Sequence, residues 1–335
     1  MKEQRQSNIK KLFSNFYIFP KLTIRSISFI GILIASSVVI FIVFASFVPF
    51  ISIPSYKISF IGLPIKISGF IFGPFVGGFV GLISDLISFA LFPTFYNIYY
   101  TLAAIIDGVI AGLVGFIFLK ILKYMFGGQY QDANYENKIY KLTRKLEKLR
   151  LEDINSKKIT KIENKIILIN EKRKVNMVIG SHNKLLNVNL LSSILTVSLI
   201  ILIISFLVFK VIDAEVIKNY GFGLPKLGLF FLMSSGYCAM IIFLIVARFK
   251  MQTKKYLVIV PIVIFSAIIE LINVPLLSYA DFTATTGSNG SGKIITFMFQ
   301  HILFSPVKIW FNMFIIFYTF NVVSPLVSKN DGIMY

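Results

Sequence analysis

Cysteine, histidine and acidic residues are all scarce in this chain. A single cysteine, Cys238, among 335 residues leaves no disulfide partner, so a cross-linked framework is excluded. With only His182 and His301 beside it, a structural metal site is not expected, nor is any cofactor. No nucleophile and base stand in a catalytic pattern, so no catalytic residue is assigned and no enzyme is expected. Asp and Glu number 15 against 34 Lys and Arg, giving a net charge of +19. Charged residues make up only 15% of the chain and hydrophobic ones 56%, which excludes a soluble fold.

Long apolar runs are what the chain has instead. About 20 apolar residues at 1.5 Å each cross the roughly 30 Å hydrocarbon layer. The first run extends from about Ile27 to Phe50, behind a basic start with Lys2, Arg5, Lys10, Lys11, Lys21 and Arg25. It is too long for a signal-peptide core and no small-residue cleavage site follows, so it reads as a retained span. Residues Ser59 to Leu91 form a second run that Gly73-Pro74 divides into two helices, because proline removes a helix hydrogen bond and clashes with the preceding turn. A fourth span covers about Ile98 to Leu122. Four more follow, at about Val188 to Ile212, Leu227 to Val246, Tyr256 to Leu277, and Pro306 to Leu326, the last led by an apolar stretch from Ile294.

Between the fourth and fifth spans the chain turns polar. Apolar residues at Ile139, Leu142, Leu146 and Leu149, then Ile159, Ile162 and Ile166, recur at helical spacing, predicting an antiparallel hairpin outside the membrane, broken near Asp153 to Ser156. Basic residues accumulate on the cytoplasmic side of membrane proteins. The N-terminus, the Lys-rich insert and the Arg248, Lys250, Lys254, Lys255 connection fall on one side. The connections Ile51 to Ile58, Phe92 to Asn97, Asp213 to Lys226 and Ser278 to Lys293 fall on the other. Both termini are therefore expected in the cytoplasm. The basic excess answers to topology and anionic headgroups, and no nucleic-acid partner is expected.

Gly287-Ser-Asn-Gly-Ser-Gly-Lys293 follows a phosphate-binding loop for seven positions, but Ile294 stands where the metal-binding hydroxyl belongs, and no strand precedes it. It reads as a flexible loop. Gly69, Gly73, Gly77 and Gly81, continued by Ala104, Gly108 and Gly112, form a small-residue ladder that lets helices meet closely in lipid. Lys66, Asp85, Asp107 and Glu270 lie inside spans, where each charge costs roughly 2.5–3.5 kcal/mol near the bilayer centre unless paired or hydrated. Tyr56, Phe92, Tyr96, Asn97, Tyr99, Tyr100 and Tyr279 lie in or beside the outer loops, and His301 at the mouth of the last span. Aromatic walls with a few convergent polar groups describe a solute pocket open to the outside. The same residues also fit internal pairing of Lys66 with Asp85 or Asp107, and an interfacial tyrosine belt.

The run Ile58-Ser-Phe-Ile-Gly-Leu-Pro-Ile-Lys-Ile-Ser-Gly-Phe-Ile-Phe-Gly-Pro-Phe-Val-Gly-Gly-Phe-Val-Gly-Leu-Ile-Ser-Asp85 resembles the second and third helices of S components of energy-coupling factor (ECF) transporters, especially the folate type. Tyr100-Thr-Leu-Ala-Ala-Ile-Ile-Asp-Gly108 is similar to the start of their fourth helix, and Leu271-Ile-Asn273-Val-Pro to the end of their fifth. The resemblance covers about Gly31 to Leu122 and Tyr256 to Leu326.

It implies a non-enzymatic subunit in the plasma membrane. Such a subunit captures a vitamin such as folate from outside, then docks on a T component driven by two ATPases and topples in the bilayer. Tyr56, Lys66, Asp85, Phe92, Tyr96, Asn97, Tyr99, Asp107, Asn273 and His301 are the expected substrate-binding residues. Gly31 and Ala35 fall on the small-residue motif that contacts the T component, and Ile51 to Ser59 on the loop that closes over substrate. Folate-type members usually carry a basic residue in the fourth-helix motif, where this chain has Asp107.

The expected fold is an all-α polytopic bundle of about eight spans. It comprises a basic cytoplasmic N-terminus at 1–23, core helices at 24–122, a charged cytoplasmic insert at 123–186, an added helix pair at 187–253, two last core helices at 254–328 and a cytoplasmic C-terminus at 329–335. A stand-alone carrier using Lys66, Asp85, Asp107 and Glu270 as an ion path remains an alternative. A lipid-modifying enzyme using the acids and His301 is a third.

Overall fold

A computed structural model describes residues 23–47, 54–91, 97–151, 156–176, 181–212, 217, 225–286 and 291–328. Every regular element among them is helical. In chain order, leaving aside a single turn at Lys123–Phe126, these are α1 (Ile24–Phe47), α2 (Pro54–Phe72), α3 (Pro74–Leu91), α4 (Ile98–Gly115), α5 (Gln129–Leu151), α6 (Ser156–Val175), α7 (Ser181–Phe206), α8 (Lys226–Lys250), α9 (Thr253–Thr286) and α10 (Ser291–Ser328). π-helical turns at Phe116–Leu122 and Leu207–Val211 follow α4 and α7.

Seven helices among the described residues are long and apolar enough to cross a membrane, and Gly62–Phe72 is a shorter apolar segment. The chain is therefore a polytopic helical membrane bundle. The division at Gly73 has its expected cause: α2 ends at Phe72, Gly73 adopts φ 101°, and α3 starts at Pro74. A left-handed φ suits glycine, and proline suits the first turn of a helix, whose N–H groups have no partner inside it.

Two expected boundaries are corrected. The segment Ser278 to Lys293, expected as an outer connection, is mostly helix, since α9 runs on to Thr286 and α10 starts at Ser291. Polar residues there satisfy themselves without leaving the helix: Ser278 Oγ donates to the Val274 carbonyl (2.5 Å) and Thr283 Oγ1 to the Tyr279 carbonyl (2.9 Å). The last span likewise extends well before Pro306, which lies inside α10 with Pro325, as Pro261 and Pro275 lie inside α9. Neighbouring helices and hydroxyl side chains make internal prolines tolerable in membrane helices. The Gly/Ser run begins outside the described residues, at 287–290, and enters α10 at Ser291.

The chain divides into two compact units, Met1–Phe116 with Ser193–Tyr335, and Ile117–Ser192. In the first, α4 packs against α2, α3 and α9, while α10 packs against α9, α2 and α8. The glycine ladder explains how α2, α3 and α4 approach so closely. A Cβ on Gly108 would sit 2.1 Å from the Gly77 carbonyl oxygen, one on Gly69 2.1 Å from that of Gly108, and one on Gly81 2.4 Å from that of Ala104. Backbone is in contact with backbone there, so van der Waals attraction between helices replaces the hydrophobic effect that lipid cannot supply.

The second unit is a helical hairpin. Arg150 pairs with Glu163 at 2.6 Å, and Arg173 pairs with Asp132 and, at 2.6 Å, with Glu136. Partners descend along α6 as they ascend along α5, so the two helices are antiparallel. The Asp132 carboxylate bonded to the Arg173 guanidinium holds that group above its ordinary range.

Candidate functional site

The chemistry of the first unit is concentrated in a buried polar cluster on α2, α4, α9 and α10. Lys66 of α2 lies one turn before Phe70, whose ring packs on Phe265 (5.4 Å) and Phe320 (4.7 Å) to form an apolar floor. Its ammonium meets Asp107 Oδ2 of α4 at 3.2 Å, with both side chains almost fully buried at 6% and 4% exposure. Asn273 of α9 donates to the other oxygen, Asp107 Oδ1, at 2.8 Å. Gly62 makes room for this pair, since a Cβ there would lie 3.0 Å from Asp107 Oδ2 and 3.4 Å from Lys66 Nζ.

A second pair stands beside the first. Glu270 lies three residues before Asn273 on the same face of α9, and its Oε1 meets Lys308 Nζ of α10 at 2.7 Å as an ion pair without good hydrogen-bond alignment. Two lysines and two carboxylates therefore cancel. Asn273 Oδ1 is buried with no hydrogen-bond partner, which leaves one acceptor of the cluster unused. An unmet buried acceptor costs about 1–3 kcal/mol, so it is a natural place for a ligand N–H or O–H.

Toward the N-terminal end of α4 a third set joins α4, α9 and α10. His301 Nε2 of α10 and Asp281 Oδ2 of α9 are 2.8 Å apart, and the Tyr100 hydroxyl of α4 donates to Asp281 Oδ1 at 2.5 Å. Asn97 caps α4 by accepting from the Tyr99 N–H (3.1 Å) while its Nδ2 donates to the Ala280 carbonyl (3.0 Å) and Thr283 Oγ1 (2.6 Å). Tyr99 stacks edge-on with Tyr279, their centroids 4.8 Å apart. Replacing Tyr100 by phenylalanine should cost about 1.5–3 kcal/mol, the worth of a hydrogen bond to a charged group, read as a lower unfolding midpoint of the detergent-solubilised protein.

The expected site residues thus separate into groups. Lys66, Asp107 and Asn273 are brought together, and Asn97, Tyr99 and His301 belong to the neighbouring set. Asp85 stands apart from Lys66: it accepts from Thr101 Oγ1 at 2.5 Å, tying α3 to α4. Phe92 and Tyr96 lie outside the described residues, as does the side chain of Tyr56. Gly31 and Ala35 are exposed on α1, and a Cβ on Gly31 would meet nothing within 4 Å. Lys308 and Asp281 complete the cluster and escaped the sequence reading. Lys308 follows Pro306 at the expected start of a span, and Asp281 lies in the expected connection Ser278 to Lys293. A signal was available in the i, i+3 and i, i+4 spacing of Glu270, Asn273, Leu277 and Asp281, a stripe that continues past Pro275.

One helix outside the resemblance, α8, contributes to the surroundings of the cluster. On α8, Gly236 lies against Pro306 of α10, a Cβ there falling 3.4 Å from the Pro306 Cα, and Phe243 packs edge-on against Trp310 at 5.4 Å. Tyr237 is buried on the same helix.

No curated protein and no solved structure matches the chain. Residues 21–130, which carry Lys66, Asp107 and the glycine ladder, match the model of the family described as ECF-type riboflavin transporter, S component.

Proposed function

We propose that this chain is the membrane-embedded substrate-binding subunit of an ECF transporter, that it takes its vitamin from outside the cell, and that the vitamin is uncharged and riboflavin-like. The observation that carries the choice of substrate is the internal neutrality of the cluster. Lys66 already faces Asp107 and Lys308 already faces Glu270, so a dianionic folate would find no uncommitted cation among these groups. A neutral flavin, with a ring edge of alternating donors and acceptors and a polyol tail, can hydrogen-bond to such a cluster without displacing an ion pair. The unused Asn273 Oδ1 adds an acceptor for a ring N–H. The name of the matched family points the same way.

In this reading the protein performs no covalent chemistry. It binds, then delivers by docking on a T component driven by two ATPases, with both termini in the cytoplasm and the exposed Gly31 and Ala35 on the docking face. Small residues at a membrane helix surface permit close helix approach, as the glycine ladder does inside the bundle.

The test is equilibrium binding to the purified protein, read by quenching of flavin fluorescence, with folate as competitor. Riboflavin is expected to bind tightly and folate at least about 100-fold more weakly, a difference of about 2.7 kcal/mol. The reverse preference would overturn the substrate assignment. Purification in mild detergent should also recover a T component with two ATPases, and exchanging Gly31 and Ala35 for leucine should abolish that recovery while leaving riboflavin binding intact. Gradient-driven transport by the protein alone, without those partners, would instead establish the stand-alone carrier.

A further inference from the structure

The hairpin of the second unit carries a surface that the transporter reading does not use. On α6, Lys157, Lys158, Lys161, Lys165 and Lys172 are all exposed. At 100° per residue they fall within about 100° of arc, so they form one face. None of the five makes an ion pair among the described residues. The carboxylates of α6 lie off that face and are engaged elsewhere: Glu163 with Arg150 at 2.6 Å, and Glu171 with Lys174 at 3.3 Å. Leu168 and Val175 sit among the lysines, 54% and 55% exposed.

We propose that this face of α6 binds an anionic phospholipid surface. Charge complementarity selects an anionic partner, and the two apolar side chains between the lysines select among anions. A lipid interface accepts leucine and valine below its headgroups while the lysine stems reach up to phosphates, whereas a nucleic acid backbone offers nothing to exposed aliphatic groups. An unpaired lysine row on a solvated helix gains nothing from Leu168 and Val175, which a free helix would be better without.

The full-length protein is reconstituted in nanodiscs of phosphatidylcholine alone or mixed with phosphatidylglycerol, which presents the anionic lipid on both faces, so the result does not depend on which side the hairpin occupies. A fluorophore is placed at Leu168→Cys in a Cys238→Ser background, and its quenching by lipid-borne and by aqueous quenchers is compared. Lipid quenching is expected only with phosphatidylglycerol, to be lost at high salt, and to fall about fivefold for each of Lys157, Lys161, Lys165 and Lys172 changed to Gln. Changing the same four to Arg should retain it, which separates charge from damage to the hairpin. Equal quenching in both lipid mixtures would overturn the proposal. So would protection that appears in neutral discs only when ATPase subunits are added, since it would assign the face to a protein partner. Riboflavin binding by the same sample reports separately on the transporter reading.

Discussion

Asp107→Ala is expected to destabilise the bundle by about 3–5 kcal/mol, because it strands the Lys66 ammonium in an almost dry interior. The pair is 3.2 Å apart and both side chains are nearly inaccessible, so the ammonium left behind has lost its counter-charge without regaining bulk hydration. Asn273 Nδ2 would lose its acceptor at the same time. The double change Lys66→Met with Asp107→Leu should recover most of the loss, since apolar side chains of similar size impose no desolvation penalty. Thermal unfolding in detergent checks both. A single variant as stable as the parent would mean that the pair is not desolvated in the folded protein. The double variant also asks a functional question: if the pair only holds α2 to α4, flavin affinity survives it, and if the pair forms part of the recognition surface, affinity falls while stability does not.

Gly108→Val should be the most damaging substitution in the glycine ladder. An alanine Cβ at this position already falls 2.1 Å from the Gly77 carbonyl oxygen, and the atoms around it are backbone that no rotamer change can move aside. Overpacking typically costs about 1–3 kcal/mol, and a branched side chain wedged between two main chains belongs at or beyond the upper end. The expected result is loss of monodisperse protein after detergent extraction. Gly31→Val supplies the control, because a Cβ there meets nothing within 4 Å and the isolated subunit should not notice it. If the two variants behave alike, the close approach of α3 and α4 is not what holds the bundle together.

The contrast between Gly108 and Gly31 shows how far sequence reasoning reaches. Both sit in small-xxx-small patterns, and the pattern alone does not say which one has a partner. The ladder identified itself by length, repeating over three consecutive helices. The charged residues behaved differently. Lys66, Asp107 and Glu270 stood out because charge in an apolar run is expensive, but which carboxylate takes Lys66 depends on the rotation and depth of separate helices. Asp85 is as near in sequence as a partner needs to be, yet Thr101 holds it. Lys308 and Asp281 were lost at expected span boundaries, because hydropathy falls wherever polar residues cluster, whether or not the helix ends.

Composition and run length by themselves determined that the chain is a helical membrane bundle, since a backbone in lipid must satisfy its own hydrogen bonds and helices of about 20 apolar residues do so. The break at Gly73-Pro74 was equally local, set by one left-handed glycine and one missing N–H. Only the tertiary structure decided that four helices place two lysines and two carboxylates in mutual reach with one amide oxygen left over. That outcome depends on helix rotation, and rotation is fixed by contacts such as Gly77 on Gly108 that join residues far apart in the chain.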